Sequence, residues 1–185
     1  MPGPGSLGNL ALCGTPCVMI PSGEDIRWIR HCIQLSRECV EVGDHPFGAA
    51  FVHDGKLLLE GRNSVCSDWD PTAHGEMNLL RQAGTVLNSC QLANGTLYSS
   101  MEPCAMCAGA IHWMGMTRVV YGCGAGRLAG LTENRLRLSC RDVFATSDSA
   151  ITVVGPVLEE DAFAVHAGFW NRRSGEQPGI YGKPA

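Results

Sequence analysis

His74-Gly75-Glu76 and Pro103-Cys104-Ala105-Met106-Cys107 are the two stretches that decide the fold and the chemistry of this chain. The first supplies an imidazole and, two residues later, a carboxylate, and the second supplies two thiols three positions apart. One histidine and two cysteines make a three-ligand zinc site with an open fourth position, whereas a structural zinc site takes a fourth Cys or His. The pattern therefore predicts the histidine and both cysteines as metal ligands, and it leaves the carboxylate free to move protons.

Both stretches have the features of helix starts. Asp70-Pro71 predicts the N-cap and first residue of a helix that continues to about Gly84, and Pro103 predicts the start of a second helix that ends near Trp113. Two cysteines at positions i and i+3 share one face of this second helix, in its first turn, where the helix dipole favours thiolates. Two helix N-termini directed at one metal would hold all three ligands.

Each half of the pattern also has a less specific interpretation. An isolated Cys-x-x-Cys is compatible with redox chemistry, metal binding or neither, and an isolated His-x-Glu is almost uninformative. Their combination, each half behind a proline-initiated helix start, favours a hydrolytic zinc site. A redox or structural zinc protein, and a binding protein with an inactive zinc site, are the competing hypotheses.

The rest of the sequence predicts an α/β domain. Ser22–Asp25 is a capping box at the start of a helix, and Asp54-Gly55 predicts a hairpin turn. Strands on both sides of the cysteine helix imply a parallel crossover. Beyond the two motif helices, the predicted elements are helices 22–43, 132–140 and 158–170 and strands 47–53, 56–62, 96–101, 117–122 and 151–154.

Composition limits the classes of function. The chain has 185 residues, 45% of them hydrophobic, which suits one domain with a real core. A net charge of −4 argues against a large nucleic-acid partner, although a local basic patch is compatible with it. No apolar run is long enough to span a membrane. Ten cysteines without a signal-peptide pattern are expected to be mostly reduced thiols in a cytoplasmic protein.

The two motif segments, Asp70–Glu76 and Glu102–Ile111, resemble the cytidine deaminase-like superfamily, and the likeness runs from about Ile26 to Trp170. The most similar branch holds tRNA adenosine deaminases, bacterial guanine deaminases and fungal-type cytosine deaminases. The resemblance implies a three-layer α/β/α fold with a five-stranded mixed sheet flanked by helices, usually as a homodimer.

The expected domain boundaries follow from this resemblance and from composition. Residues 22–175 are predicted to form the zinc-dependent deaminase domain. Residues 1–21, rich in Gly and Pro, are expected to form a flexible N-terminal tail, and residues 176–185 a C-terminal tail.

The resemblance also implies roles for individual residues. His74, Cys104 and Cys107 match the ligands of one catalytic Zn²⁺ per subunit, which carries a bound water or hydroxide, and Glu76 matches the catalytic proton shuttle.

A second group of residues matches positions that contact the base. Asn63 matches an asparagine that hydrogen-bonds the base, Phe47 matches a ring that stacks on it, and Trp113 matches a pocket aromatic of guanine deaminases. His74 belongs to this substrate-binding group as well as to the metal ligands. Core packing is the alternative for both aromatic residues, and a turn asparagine is the alternative for Asn63.

The predicted function is the hydrolytic deamination of a free amino-substituted nucleobase or related heterocycle. Guanine is the first candidate, and cytosine, isocytosine and aminotriazines are open. The net negative charge of the chain and the aromatic ring of Phe47 both favour a small planar substrate. The alternatives are tRNA adenosine-to-inosine deamination and nucleoside deamination. Glu133 is a candidate second catalytic carboxylate, with a helix-terminal charge as the alternative. Whether the C-terminal helix covers its own site or a partner's is open.

Overall fold

The computed structural model describes residues 20–128, 131, 136 and 138–173, without the side chains of 172 and 173. The predicted tails, apart from residues 20 and 21, and Glu133 lie outside the described residues. Within them, the helices are α1 Gly23–Glu41, α2 Val65–Asp68, α3 Gly75–Val86, α4 Ser89–Asn94, α5 Ala105–Trp113, α6 Cys140–Ala145 and α7 Glu159–Arg173. The strands are β1 Gly48–His53, β2 Lys56–Arg62, β3 Thr96–Met101, β4 Arg118–Cys123 and β5 Thr152–Val154. No helix of this described part is long and apolar enough to cross a membrane.

The five described strands form one mixed sheet in the order β2-β1-β3-β4-β5. Strand β1 is antiparallel to β2 and to β3, whereas β3, β4 and β5 are parallel to one another. Helix α5 makes the crossover between β3 and β4, as the strand–helix–strand order predicts. The predicted α/β fold with a five-stranded mixed sheet is therefore confirmed.

Helices cover both faces of the sheet, because alternate residues of each strand point to opposite sides. On one face, Phe51 of β1 packs in a cluster with Leu79 of α3 and Ile111 of α5. On the other face, Val52 of β1 packs in a cluster with Ile29 of α1 and with Ala162 of α7. These two cores give the three α/β/α layers.

Two local signals of the sequence form the predicted structures. The Ser22 side chain accepts a hydrogen bond from the backbone N–H of Asp25, and the Asp25 side chain accepts one from the backbone of Ser22, which is a complete capping box at the start of α1. The hairpin between β1 and β2 turns through Asp54 and Gly55, with φ angles of 50° and 69°. Two successive positive φ angles are what a two-residue hairpin turn requires.

The helix that carries Glu76 begins later than predicted. Asp70 is not its N-cap, because the Asp70 carboxylate accepts hydrogen bonds from the backbone N–H and the hydroxyl of Thr72, at 2.8 and 2.7 Å, and so closes a local turn. The helix begins at Gly75 with His74 as its N-cap, and it ends at Val86 rather than near Gly84.

Other boundaries also differ from the sequence prediction. Cys104 is the N-cap of α5, so that helix begins at Ala105 and not at Pro103. The helix predicted over 132–140 is wrong in its described part: positions 136, 138 and 139 are not helical. Helix α6 begins at Cys140 because Ser139 and Asp142 form a capping box.

Candidate active site

The three predicted metal ligands converge in the structure. The Nδ1 atom of His74 lies 3.6 Å from the Sγ atoms of both Cys104 and Cys107, and the two sulfur atoms are also 3.6 Å apart. Zinc–sulfur bonds of about 2.3 Å and zinc–nitrogen bonds of about 2.0 Å in a tetrahedron give edges of about 3.8 and 3.5 Å. The triangle of donor atoms therefore fits zinc and leaves one face for a fourth ligand.

Three structural elements place these donors. His74 precedes α3 in an extended conformation, with φ −67° and ψ 153°, and Cys104 precedes α5 in a similar conformation. Cys107 is fully buried in the first turn of α5. The site thus lies where the N-termini of two helices meet, and their dipoles favour negatively charged ligands there.

The electrostatics of the trio favour a thiolate. The hydrogen bond with Cys107 is the main cause that lowers the pKa of Cys104 to about 4, and His74 contributes in the same direction. The same pairing, with burial, raises the pKa of Cys107 well above its usual value. The lowered pKa of Cys104 favours its thiolate, which is the form that binds zinc.

Glu76 is a buried carboxyl group beside the metal ligands. Its residue is only 3% exposed. One carboxyl oxygen, Oε2, lies 3.7 Å from Cys107 Sγ, and the other, Oε1, accepts a hydrogen bond of 3.0 Å from the Ser99 hydroxyl. Removal from water raises the pKa of Glu76, against the opposing charge of His74. A carboxyl group with a raised pKa holds a proton more readily than an exposed one, which suits a group that accepts and returns protons.

Phe47 and Asn63 lie together next to the metal ligands. The Phe47 ring is parallel to the His74 imidazole, with 6.3 Å between ring centroids. The backbone N–H of Asn63 donates to the Phe47 carbonyl at 3.0 Å. The Asn63 side chain accepts from the Val65 N–H at 3.1 Å, while its buried Nδ2 has no hydrogen-bond partner among the described residues. A buried donor without a partner is costly, which points to a ligand that accepts its hydrogen bond.

Two glycines allow the segments of the site to pack closely. A Cβ atom on Gly61 of β2 would lie 2.0 Å from the Gly75 carbonyl oxygen, and a Cβ on Gly75 would lie 2.8 Å from the Phe47 carbonyl oxygen. Both distances are shorter than ordinary contacts. The backbone of Phe47 therefore packs directly on the backbone of the segment that contains His74 and Glu76.

Helix α7 packs on Phe47 of its own chain. His166 is fully buried on α7, and its ring lies 5.0 Å from the Phe47 ring. Trp170, one turn later, lies 5.0 Å from the ring of His45. The C-terminal helix of the described chain therefore lies next to one predicted site residue of the same chain.

One predicted site residue, Trp113, lies away from this cluster. Trp113 is 85% exposed at the C-terminal end of α5. Since α5 has nine residues, this end is about 13 Å from the end that carries Cys104. Glu133 lies outside the described residues, so its predicted role stays a prediction.

Three residues that support the site were missed by the sequence analysis. Asp44 is buried and accepts hydrogen bonds from the backbone N–H groups of Cys66 and Ser67, which fixes the turn after Asn63. Glu102 accepts hydrogen bonds from backbone N–H groups on both sides of the 126–139 segment. Ser99 donates to Glu76. The only signal for Ser99 was a pair of serines in an otherwise apolar strand.

Comparisons with known proteins agree with this geometry. Residues 22–123 match the profile of the cytidine and deoxycytidylate deaminase zinc-binding region. The probable cytosine deaminase of Schizosaccharomyces pombe is 34% identical over 158 residues, which are 81% of this chain and 94% of that protein. A tRNA-specific adenosine deaminase of Buchnera aphidicola is 39% identical over 101 residues, or 55% of this chain and 67% of that protein.

A solved structure of similar sequence is also known. The X-ray structure of guanine deaminase from Bacillus subtilis has a TM-score of 0.55 and 38% identity, over 59% of this chain and 70% of that one. The sequence match covers more than half of the chain, and it includes His74, Glu76, Cys104 and Cys107. The chain therefore belongs to the deaminase family defined by the cytidine and deoxycytidylate deaminase zinc-binding region.

Proposed function

We propose that residues 22–175 form a zinc-dependent hydrolytic deaminase that acts on a free amino-substituted nucleobase or related heterocycle. Guanine is the first candidate, and cytosine, isocytosine and aminotriazines are the others. The observation that carries this proposal is the buried Glu76 carboxyl beside three side chains that fit one zinc ion. The relatives named as cytosine and guanine deaminases support the substrate class.

The proposed zinc ion, one per subunit, is held by His74, Cys104 and Cys107. When bound, it lowers the pKa of a coordinated water towards about 7 and so supplies the nucleophile. The protein's own part is to keep the three donors preorganised at two helix N-termini and to leave the fourth position open.

Glu76 acts as the proton carrier of the reaction. It takes a proton from the attacking water and delivers it to the ring nitrogen next to the reacting carbon. Glu76 then takes the remaining proton of the hydroxyl group added to the carbon and delivers it to the amino group, so that this hydroxyl becomes the carbonyl of the product. A carbon–oxygen bond forms, the carbon–nitrogen bond breaks, and ammonia leaves with both electrons of that bond. The raised pKa of Glu76 suits a group that must both accept and release protons. Glu133 is proposed as a second carboxylate that assists the departure of ammonia.

The substrate is a small planar ring held by Phe47 and Asn63. The Phe47 ring, parallel to the imidazole of His74, offers a stacking face at the metal. The buried Nδ2 of Asn63 offers a hydrogen bond to an acceptor on the base. Helix α7 packs His166 against this ring, and a neighbouring helix so close to the ring favours a compact ligand over a flipped base within a large RNA.

A tRNA adenosine deaminase is the second candidate function, because relatives with that name match a large part of the chain. An enzyme of that kind must also grip the backbone around the flipped base. The formal net charge of −4 weighs against this candidate.

We also propose that the protein is a homodimer that associates through α5. This helix is apolar on every side, a pattern of helices that are buried all round. Nevertheless, Trp113 of α5 is 85% exposed in the single chain. Light scattering should give twice the chain mass, and Trp113→Glu should give a monomer. A wild-type protein that is monomeric at micromolar concentration would contradict the dimer.

A cytoplasmic location is proposed from the state of the thiols. None of the eight cysteines in the described part of the chain forms a disulfide, and five of them are fully or nearly fully buried. Cysteines in this number without disulfides are typical of proteins in a reducing compartment.

The deciding experiment is an ammonia-release screen of the zinc-loaded protein. The substrates are guanine, cytosine, isocytosine, adenine, their nucleosides, aminotriazines and a tRNA anticodon stem-loop. We expect turnover with a free base, and a loss of about 10²- to 10⁴-fold in Glu76→Gln with zinc retained. Glu160→Gln, which changes a surface carboxylate, is the matched control. Activity confined to the stem-loop would contradict the free-base proposal, and full turnover in Glu76→Gln would contradict the role of Glu76.

A further inference from the structure

Ser99 is a fully buried polar residue on a face of the sheet that is otherwise apolar. It lies on β3 two residues after Leu97, so both side chains point to the same side. Leu97 belongs to the core cluster under α3 and α5, together with Leu79 and Ile111. A hydroxyl buried among such residues without a hydrogen bond costs roughly 1–3 kcal/mol.

The Ser99 hydroxyl makes its hydrogen bond with the group that the mechanism uses. Its Oγ donates to Oε1 of Glu76 at 3.0 Å, and both residues are buried. The two oxygens of the Glu76 carboxyl group therefore have different neighbours. Oε1 is held from the side of the sheet by Ser99, while Oε2 is directed towards the metal ligands, 3.7 Å from Cys107 Sγ.

The neighbouring residue provides a contrast. Ser100 is as deeply buried as Ser99, but it lies on the opposite face of β3. Its hydroxyl accepts a hydrogen bond of 3.1 Å from the backbone N–H of Gly48. Ser100 therefore connects two strands, whereas Ser99 connects the sheet to the catalytic carboxyl group.

We propose that Ser99 is a positioning residue for Glu76, which fixes the rotation of the carboxyl group so that Oε2 faces the side chains that would hold the zinc ion. This inference rests on the proposed deaminase function. A carboxyl group rotates easily about its terminal bond, because such torsions have broad minima. The hydrogen bond from Ser99 removes that freedom. Without Ser99 the carboxyl group can turn about its terminal bond, and the orientation of Oε2 towards the metal ligands is no longer fixed from the side of the sheet.

The test compares Ser99→Ala, Ser99→Thr and Ser100→Ala in the zinc-loaded full chain, with the base that the wild-type enzyme turns over best. We expect Ser99→Ala to lower kcat by about 10- to 100-fold, the usual effect of removing a partner of a site residue, while KM stays within about twofold. Ser99→Thr keeps the hydroxyl and should restore most of the turnover. Ser100→Ala removes a buried hydroxyl of the same strand and should keep kcat.

A second measurement does not depend on turnover. The infrared absorption of the Glu76 carboxyl group is assigned by its loss in Glu76→Gln. It should shift in Ser99→Ala and stay in place in Ser99→Thr and Ser100→Ala. Zinc content should be equal in all of these variants.

The outcomes separate this inference from the proposed function. If the wild-type protein deaminates no base in the screen, the proposed function fails before any Ser99 variant is compared. If the wild-type protein is active and Ser99→Ala keeps its kcat, or if the infrared band does not move, the positioning role is wrong. An equal loss of kcat in Ser100→Ala would show that any buried hydroxyl of β3 has the same effect through strand packing. That result would also overturn the positioning role of Ser99.

Discussion

The ring of Phe47 lies parallel to the imidazole of His74, with 4° between the two planes. His166 of α7 packs on Phe47 at an angle of 57°, so that the ring contacts both His74 and the C-terminal helix. In the proposed function, a ring fixed in this way offers the base one defined plane and loses little further entropy when the base binds.

We expect Phe47→Leu to raise KM for the base by about 3- to 10-fold, because an aromatic pair contributes roughly 0.5–1.5 kcal/mol beyond its buried area. Steady-state kinetics with the base identified in the screen measures this change. Phe144→Leu, which alters a buried ring on α6, is the control and should lower stability without changing KM. An unchanged KM in Phe47→Leu would favour the core-packing interpretation.

Replacing Asn63 by Asp should lower kcat/KM by about 10- to 100-fold. The change keeps an acceptor for the Val65 N–H but removes the Nδ2 donor, and the loss corresponds to roughly 1.4–3 kcal/mol for a buried hydrogen bond. Asn94→Asp, at an exposed position of α4, controls for the added charge. If Asn63→Asp changes the melting temperature alone, Asn63 is a turn residue and not a contact of the base.

Metal analysis of cysteine variants tests the ligand set. Cys104→Ala should abolish the binding of one zinc ion per chain, because two remaining donors do not make a three-ligand site. Elemental analysis after dialysis measures the stoichiometry. Cys140→Ala removes a buried thiol on α6 that is not a predicted ligand, and this variant should still bind one zinc ion per chain. Chelation of the wild-type protein should abolish turnover, and added zinc should restore it.

A pair of charged residues at the other end of the sheet predicts a pH dependence of stability. The Asp25 carboxylate accepts two hydrogen bonds from the Arg118 guanidinium, at 2.9 and 3.0 Å. Burial alone would raise the pKa of Asp25, but the bonds from Arg118 and Ser22 outweigh it, so the pKa is lowered. The stabilisation is therefore complete above the unfolded pKa of about 3.9 and is lost as the pH falls through the folded pKa.

The corresponding variant is Asp25→Asn, which keeps an acceptor for the cap of α1 but removes the charge. At pH 7 we expect it to lower the free energy of unfolding by about 1–2 kcal/mol, since Asp25 is buried while the Arg118 side chain is 30% exposed and can be solvated when its partner is lost. Urea unfolding at several pH values should show this difference shrinking below about pH 4. Asp54→Asn, at an exposed turn, should change stability little. A difference that does not vary with pH would contradict the assignment.

The sequence predicted those parts of the fold whose signals are local. The capping box of Ser22 and Asp25 and the Asp54-Gly55 turn formed as expected, because each depends on residues within a few positions. The predicted start of α3 was wrong because the Asp70 carboxylate accepts a hydrogen bond from the Thr72 backbone N–H and closes a turn. Residue preferences alone do not decide between a helix cap and a turn.

The candidate site was predictable only where its residues lie in two short motifs. The partners of those residues come from distant parts of the chain: Ser99 is 23 positions from Glu76, and Asp44 is 22 positions from Cys66. No periodicity or spacing links such pairs, since the packing of the sheet on the helices brings them together. The exposure of Trp113 could not be predicted from its apolar helix for the same reason.

The direct packing of Gly61, Gly75 and the Phe47 backbone has a consequence for how substrate choice can change. An added methyl group at position 75 would push on the Phe47 carbonyl, just before β1, while that same residue separates His74 from Glu76 in the sequence. With the roles proposed above for these residues, the shape of the pocket and the reactivity at the metal are mechanically coupled. We therefore expect a shift of preference from one heterocycle to another to need compensating changes at Phe47, on β2 and on α3 together.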